Sequence, residues 1–210
     1  MDTPVTNALI VVDVQRGFMT GGNLATPLAG EALPAPEVIL PVLNRLMAGG
    51  DYLRVVLTQD FHPANHCSFA DNLGVPAYTL GTTEAGRPQM AWPVHCVGGT
   101  SDADFHPGLY TRYADVVIRK GTRPDYDSYS GLADDGGAPT GLGGYLKENG
   151  ITDVDVVGIA TDYCVKATAL DALRAGFRVR VLLEACAGVA VTTINAALHE
   201  MEAAGVDVVR

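Results

Sequence analysis

The chain has 210 residues, a length that suits one domain with a sizeable core. Hydrophobic residues make up 48% and charged ones 18%, which excludes a disordered chain and a coiled coil. Twenty-four acidic residues against 14 basic ones give a net charge of -10, so phosphate backbones and anionic lipid are repelled, and neither nucleic acid nor a membrane is an expected partner.

Residues 8–13 (ALIVVD) form an unbroken apolar run closed by an acid, the pattern of a strand buried on both faces. Val38, Val42 and Leu46 with Ile39, Leu43 and Met47 make an apolar stripe at helical spacing, stopped by Gly49 and Gly50, with Pro41 weakening the first turn. Residues 53–58 (LRVVLT) and 115–119 (DVVIR) read as two further strands. The stretches 61–113 and 121–140 are rich in Gly, Pro, Asp and aromatic residues and are too long for simple connections, so they are expected to build a site on the scaffold.

Residues 142–148 predict a helix, 154–159 (VDVVGI) a strand, and 163–175 a helix stopped by Gly176. A strand at 179–183, a helix at 192–204 stopped by Gly205, and a strand at 206–209 complete the pattern. Alternation of this kind implies βαβ units, hence a doubly wound α/β fold with a six-stranded, mostly parallel sheet and helices on both faces, forming one domain over residues 1–210. No run of 18 apolar residues exists and residues 1–7 lack the regions of a signal peptide, so a cytoplasmic address is expected. Cys67, Cys96, Cys164 and Cys186 are widely spaced without a CxxC pair and read as free thiols. The glycine pairs and the run 141–144 match no phosphate-binding pattern and read as turns.

Open parallel sheets bind ligands beyond the carboxyl ends of their strands. Asp13 closes the first strand, Asp60 follows the second, Lys120 the third, and residues 160–164 (ATDYC) the fourth. Cys164 falls at a helix start, where backbone N–H groups and the macrodipole favour thiolate over thiol. Asp13 could take its proton and Lys120 could hold both groups. Blander roles remain open for each: core packing for the cysteine, loop amides for the acid, solvation for the lysine. Asp60 and His62, one residue apart in an extended segment, would point the same way, with His95 as third member of a site suited to zinc, iron or manganese. Polar-loop histidines with no metal are the equal alternative. His66 is open between ligand, outer donor and loop residue. Phe18, Trp92, Tyr126 and Tyr129 could wall a flat apolar ligand or merely pack their loops.

Taken together, VDVQRGFMTGGNL (12–24), TQDFHPANHCSF (58–69), WPVHC (92–96), RKG (119–121), YDSYSG (126–131) and GIATDYCVKATALDA (158–172) resemble the nicotinamidase/pyrazinamidase family of the isochorismatase-like cysteine hydrolases. The resemblance implies deamidation of nicotinamide to nicotinate and ammonia, and of pyrazinamide to pyrazinoate, through a cysteine thioester in NAD salvage. It implies Cys164 as nucleophile, Asp13 as base and acid, Lys120 as the third catalytic residue, and the N–H groups of Ala160 and Cys164 as the oxyanion hole, after a cis Ile159–Ala160 peptide. It implies one divalent ion on Asp60, His62 and His95, zinc first with iron or manganese as alternatives. Phe18 and Trp92 would sandwich the ring with Tyr129 nearby. His66 stands at a shorter spacing than the further histidine of some relatives, which leaves its role undecided. A sibling hydrolase of another carbamoyl, ureido or amide substrate, a metal-hydroxide hydrolase with Cys164 as bystander, and a binding protein on the same fold are the competing readings. A homo-oligomer is left open, since the sequence names no interface.

Overall fold

The computed structural model describes residues 6–210, so residues 1–5 of the segment 1–7, read as lacking the regions of a signal peptide, lie outside the described residues. The first apolar run is β1 (Asn7–Val12), whose residues alternate between two cores: Leu9 and Val11 face one side of the sheet, Ala8, Ile10 and Val12 the other. Both sides are covered, which is why the run shows no polar alternation. A short 3₁₀ turn (Pro36–Ile39) leads into α1 (Leu40–Ala48), where Pro41 lies in the first turn and its missing N–H costs no helical bond. β2 (Arg54–Asp60) follows.

Within 61–113 the structure adds elements that the sequence pattern did not predict: α2 (Ala70–Leu73) and an antiparallel hairpin of β3 (Leu80–Thr82) and β4 (Pro88–Met90). Then come β5 (Val116–Lys120), α3 (Leu142–Glu148) and β6 (Asp153–Ile159). Gly143 and Gly144, read as turn residues, lie inside α3. A π-helical turn (Thr161–Val165) runs into α4 (Lys166–Arg174), followed by β7 (Arg178–Ala187), α5 (Val191–Ala204) and β8 (Asp207–Val209). Among the described residues no helix is long and apolar enough to cross a membrane.

The six main strands form one sheet in the order β5-β2-β1-β6-β7-β8, and every pairing is parallel. α1 and the long loops cover one face, and α3, α4 and α5 the other. The chain starts in the middle, builds outward through β2 and β5, then returns to the opposite side of β1 with β6. The crevice beyond the carboxyl ends of β1 and β6 is therefore the switch point at which such sheets bind ligands. Gly158 makes the two strand ends fit: its φ is +112°, and a β-carbon there would run into the Val12 carbonyl oxygen.

Candidate active site

Four strand ends deliver the reactive groups to one place. Asp13 follows β1 in a left-handed conformation (φ 49°), which a non-glycine residue adopts only where its surroundings enforce it. Its Oδ1 accepts the Thr58 hydroxyl at 2.6 Å, and its Oδ2 faces the Lys120 Nζ at 2.8 Å with no further hydrogen bond. Lys120, the last residue of β5, is 2% exposed and serves four partners: Asp13, Asp60 Oδ1 at 2.5 Å, the Ser128 carbonyl at 2.8 Å and the Cys164 Sγ at 3.5 Å. Acceptor atoms of Asp13, Asp60 and Cys164 all lie within 4.8 Å of one another. The structure thus brings Asp13, Lys120 and Cys164 together.

Burial pushes the Asp13 carboxyl up to about 6, with Lys120 pulling only part of the way back. Burial acts the same way on Asp60, but there Lys120 and His62 prevail and hold it well below the usual carboxylate range. Lys120 is buried too, yet the two carboxylates more than offset the lost solvation and keep its pKa well above normal. The expectation of a thiolate at Cys164 is not met. Burial pushes its pKa well up, Asp13 and Asp60 add to this, and Lys120 offsets only part. Cys164 lies in the π-helical turn before α4, and desolvation outweighs whatever the helix start supplies. At rest Cys164 is a thiol, with the Asp13 carboxylate close by.

Asp60 also belongs to a second group: one donor atom each from Asp60, His62 and His95 lies within 4.8 Å of the others. Each histidine faces a backbone carbonyl through Nδ1, His62 to Gly121 at 2.9 Å and His95 to Pro93 at 2.8 Å. A carbonyl only accepts, so Nδ1 carries the proton and Nε2 is left for a metal. Two backbone bonds, His62 N–H to the Cys96 carbonyl at 3.0 Å and Gly98 N–H to the His62 carbonyl at 2.9 Å, tie the two histidine loops together. Gly121 (φ +62°) is a glycine because the His62 ring occupies the space of a β-carbon. Burial holds His95 neutral, its pKa lowered to about 4. Burial opposes a charge on His62 also, but the Asp60 carboxylate overrides this and its pKa is raised, as befits a place for a cation. The buried, oriented Asp and His donors fit a divalent ion.

His66 stacks on His62 with ring centroids 4.0 Å apart, its Nδ1 at 2.8 Å from the Ser68 hydroxyl and its Nε2 at 3.2 Å from the Tyr126 carbonyl. Both nitrogens are engaged within the protein. Beside these groups lies a pocket lined by Phe18, Trp92, Tyr129, Ala160 and Cys164 together with Asp60, His62 and His95. Trp92 donates its indole N–H to the Tyr129 hydroxyl at 2.9 Å, which fixes both rings. The Ile159–Ala160 peptide is cis. Sequence reasoning missed Tyr163, which packs edge-on to Trp92 at 5.0 Å, and Asp127, a buried carboxylate that also lines the pocket. Position was the available signal: Tyr163 directly precedes the cysteine, and Asp127 lies inside the YDSYSG block.

Residues 7–210 match the isochorismatase domain family. The chain belongs to the isochorismatase family. Among characterised members, it is 46% identical over 202 residues to the nicotinamidase of Acinetobacter baylyi, covering 95% of this chain and 90% of that one. An Acinetobacter baumanii nicotinamidase/pyrazinamidase structure superposes with a TM-score of 0.90 at 44% identity, covering 100% of this chain and 98% of the other. A pyrazinamidase of Pyrococcus horikoshii, solved in complex with zinc, superposes with a TM-score of 0.77 at 38% identity, covering 98% and 99%. The isochorismatase fold thus accounts for the sheet order, the switch-point crevice and the pocket within it.

Proposed function

We propose that this protein is a nicotinamidase of one domain, hydrolysing nicotinamide to nicotinate and ammonia, and pyrazinamide to pyrazinoate. The family relatives support this substrate class, and the observation that carries the chemistry is the meeting of the Asp13 carboxylate and the Lys120 ammonium, both buried, with the Cys164 Sγ, whose residue lines an aromatic pocket. The flat ring lies between Phe18 and Trp92, with Tyr129 alongside, and the carboxamide carbon faces Cys164. Asp13 takes the thiol proton on its open Oδ2 as sulfur attacks, Lys120 keeps Asp13 ionised until then, and the N–H groups of Ala160 and Cys164 receive the oxyanion. Losing one such donor costs roughly 3–4 kcal/mol in comparable sites. Asp13 returns the proton to the departing amide nitrogen, which leaves as ammonia, and a thioester remains. Asp13 then draws a proton from water as it attacks the thioester carbon, releasing nicotinate and restoring the thiol.

Asp60, His62 and His95 hold the divalent ion, which we assign as zinc from the donor set and the zinc-bound relative, with iron and manganese as the alternatives the assay below compares. When bound, it supplies a Lewis-acid position for the ring nitrogen. His66 packs against His62 and shapes the loop. We assign the enzyme to the cytoplasm and its product to NAD salvage.

The test is ammonia release from nicotinamide by purified protein, beside Cys164→Ala and a chelated sample restored with zinc, iron or manganese in turn. Release by the intact enzyme, its loss in the alanine variant and its return with metal support the reading. Absence of release from metal-loaded protein refutes the substrate, and activity retained by Cys164→Ala refutes the thiol mechanism.

A further inference from the structure

Asp127 is unexplained by the mechanism above. It is 4% exposed, it borders the pocket, and it lies just before the segment that carries Tyr129. Its Oδ1 accepts the Ser128 N–H at 2.8 Å and its Oδ2 the Gln89 side-chain amide at 2.7 Å, both neutral donors. Among the described residues no Lys or Arg lies within ion-pair distance of it. A carboxylate sealed from water is tolerated when it is paired or faces a metal.

The charge count of the pocket is uneven. Asp13, Asp60 and Asp127 are three buried carboxylates, and the one buried ammonium, Lys120, is already shared by the first two. Two positive charges are missing. A donor atom of Asp127 lies within 4.8 Å of donor atoms of both His62 and His66, and His62 also belongs to the Asp60 and His95 cluster. His62 has a single nitrogen to spare, because its Nδ1 is bonded to Gly121, so the two clusters share one ion rather than hold two.

We propose that Asp127 is the charge-balancing partner of the metal site: the carboxylate that makes this pocket neutral only with a doubly charged ion in it. The inference rests on the assignment of Asp60, His62 and His95 as ligands. Asp127 is a positioning residue, acting on the cation through its charge beside His62. Gln89 of β4 aims it, which ties the hairpin to this carboxylate.

The experiment compares wild type, Asp127→Asn and His62→Ala for zinc affinity by competition with a chromogenic chelator, with melting curves of each in chelator and in saturating zinc. Asparagine keeps the shape, and Gln89 can turn its amide to meet it. Removal of partners that orient or balance a metal weakens binding about 10–100-fold, and that loss is expected for Asp127→Asn. Its chelated form should melt at or above the wild-type temperature, since a stranded charge is gone, and zinc should raise its melting point less than it does in wild type. Wild-type zinc affinity in Asp127→Asn, or a lower melting point in chelator with an unchanged rise on adding zinc, overturns the proposal and leaves Asp127 a structural residue. Failure of wild type to bind zinc, or binding undiminished in His62→Ala, overturns the ligand assignment itself.

Discussion

Replacing Lys120 with methionine keeps the bulk of the buried stem and deletes its ammonium. Asp13 and Asp60 are then left facing each other inside the protein, having lost ion-pair contacts at 2.8 Å and 2.5 Å. Stranding one member of a buried pair costs about 3–5 kcal/mol, and with two carboxylates stranded by one change the upper end applies. For a chain of this length each kcal/mol moves the midpoint about 2–4 °C, so Lys120→Met should melt roughly 10–20 °C below wild type. The assay is a pair of thermal melts, in chelator and in saturating zinc, alongside ammonia release. The loss should be largest in chelator, because a cation held by Asp60 replaces part of the missing charge. A second change, Asp13→Asn in the Lys120→Met background, should recover part of the stability and none of the activity, since it removes a stranded charge together with the base. A Lys120→Met protein that melts within about 3 °C of wild type in chelator, with no recovery on adding Asp13→Asn, would refute the charge argument.

Because burial raises Asp13 to about 6, the base form is lost as pH falls through that value, and kcat/KM for nicotinamide should drop on an acid limb near 6 rather than near 4. Thr58→Val removes the hydroxyl that donates to the Asp13 Oδ1 at 2.6 Å, so the limb should move to higher pH; a pH–rate series on both proteins decides this. Gly158→Ala combines a strained φ of +112° with a β-carbon driven into Val12, each effect worth about 1–3 kcal/mol, and urea unfolding should show a loss of at least about 2 kcal/mol. Phe18→Ala opens one wall of the ring pocket, and losing about 1–2 kcal/mol of apolar contact should raise KM about 5–30-fold with kcat changed less; an effect on kcat alone would count against ring binding there.

The sheet was legible because a strand buried on both faces must be apolar throughout. Residues 8–12 show that run and 154–159 show it broken only by Asp155 and Gly158, and they lie side by side at the centre as β1 and β6. The convergence of Asp13, Lys120 and Cys164 followed from the same source, since each stands at the carboxyl end of a strand that had already been placed. What stayed hidden depends on contacts between distant segments. The β3 and β4 strands are three residues each, with little apolar pattern, and β4 is tied to the pocket residue Asp127, 38 positions away, by Gln89. No periodicity reports such a contact.

The protonation of Cys164 was misjudged for a related reason. A sequence shows that a helix begins near the cysteine, and that fact alone favours a thiolate. It does not show that the thiol is buried, which is the largest influence, or that two carboxylates beside it work against the pull of Lys120. The outcome is mechanistically coherent. A thiolate formed in advance would add a third negative charge around Lys120, already shared between Asp13 and Asp60. In the proposed mechanism, keeping the proton on sulfur until Asp13 takes it leaves the net charge of that cluster unchanged throughout attack, so Lys120 never faces a third negative charge.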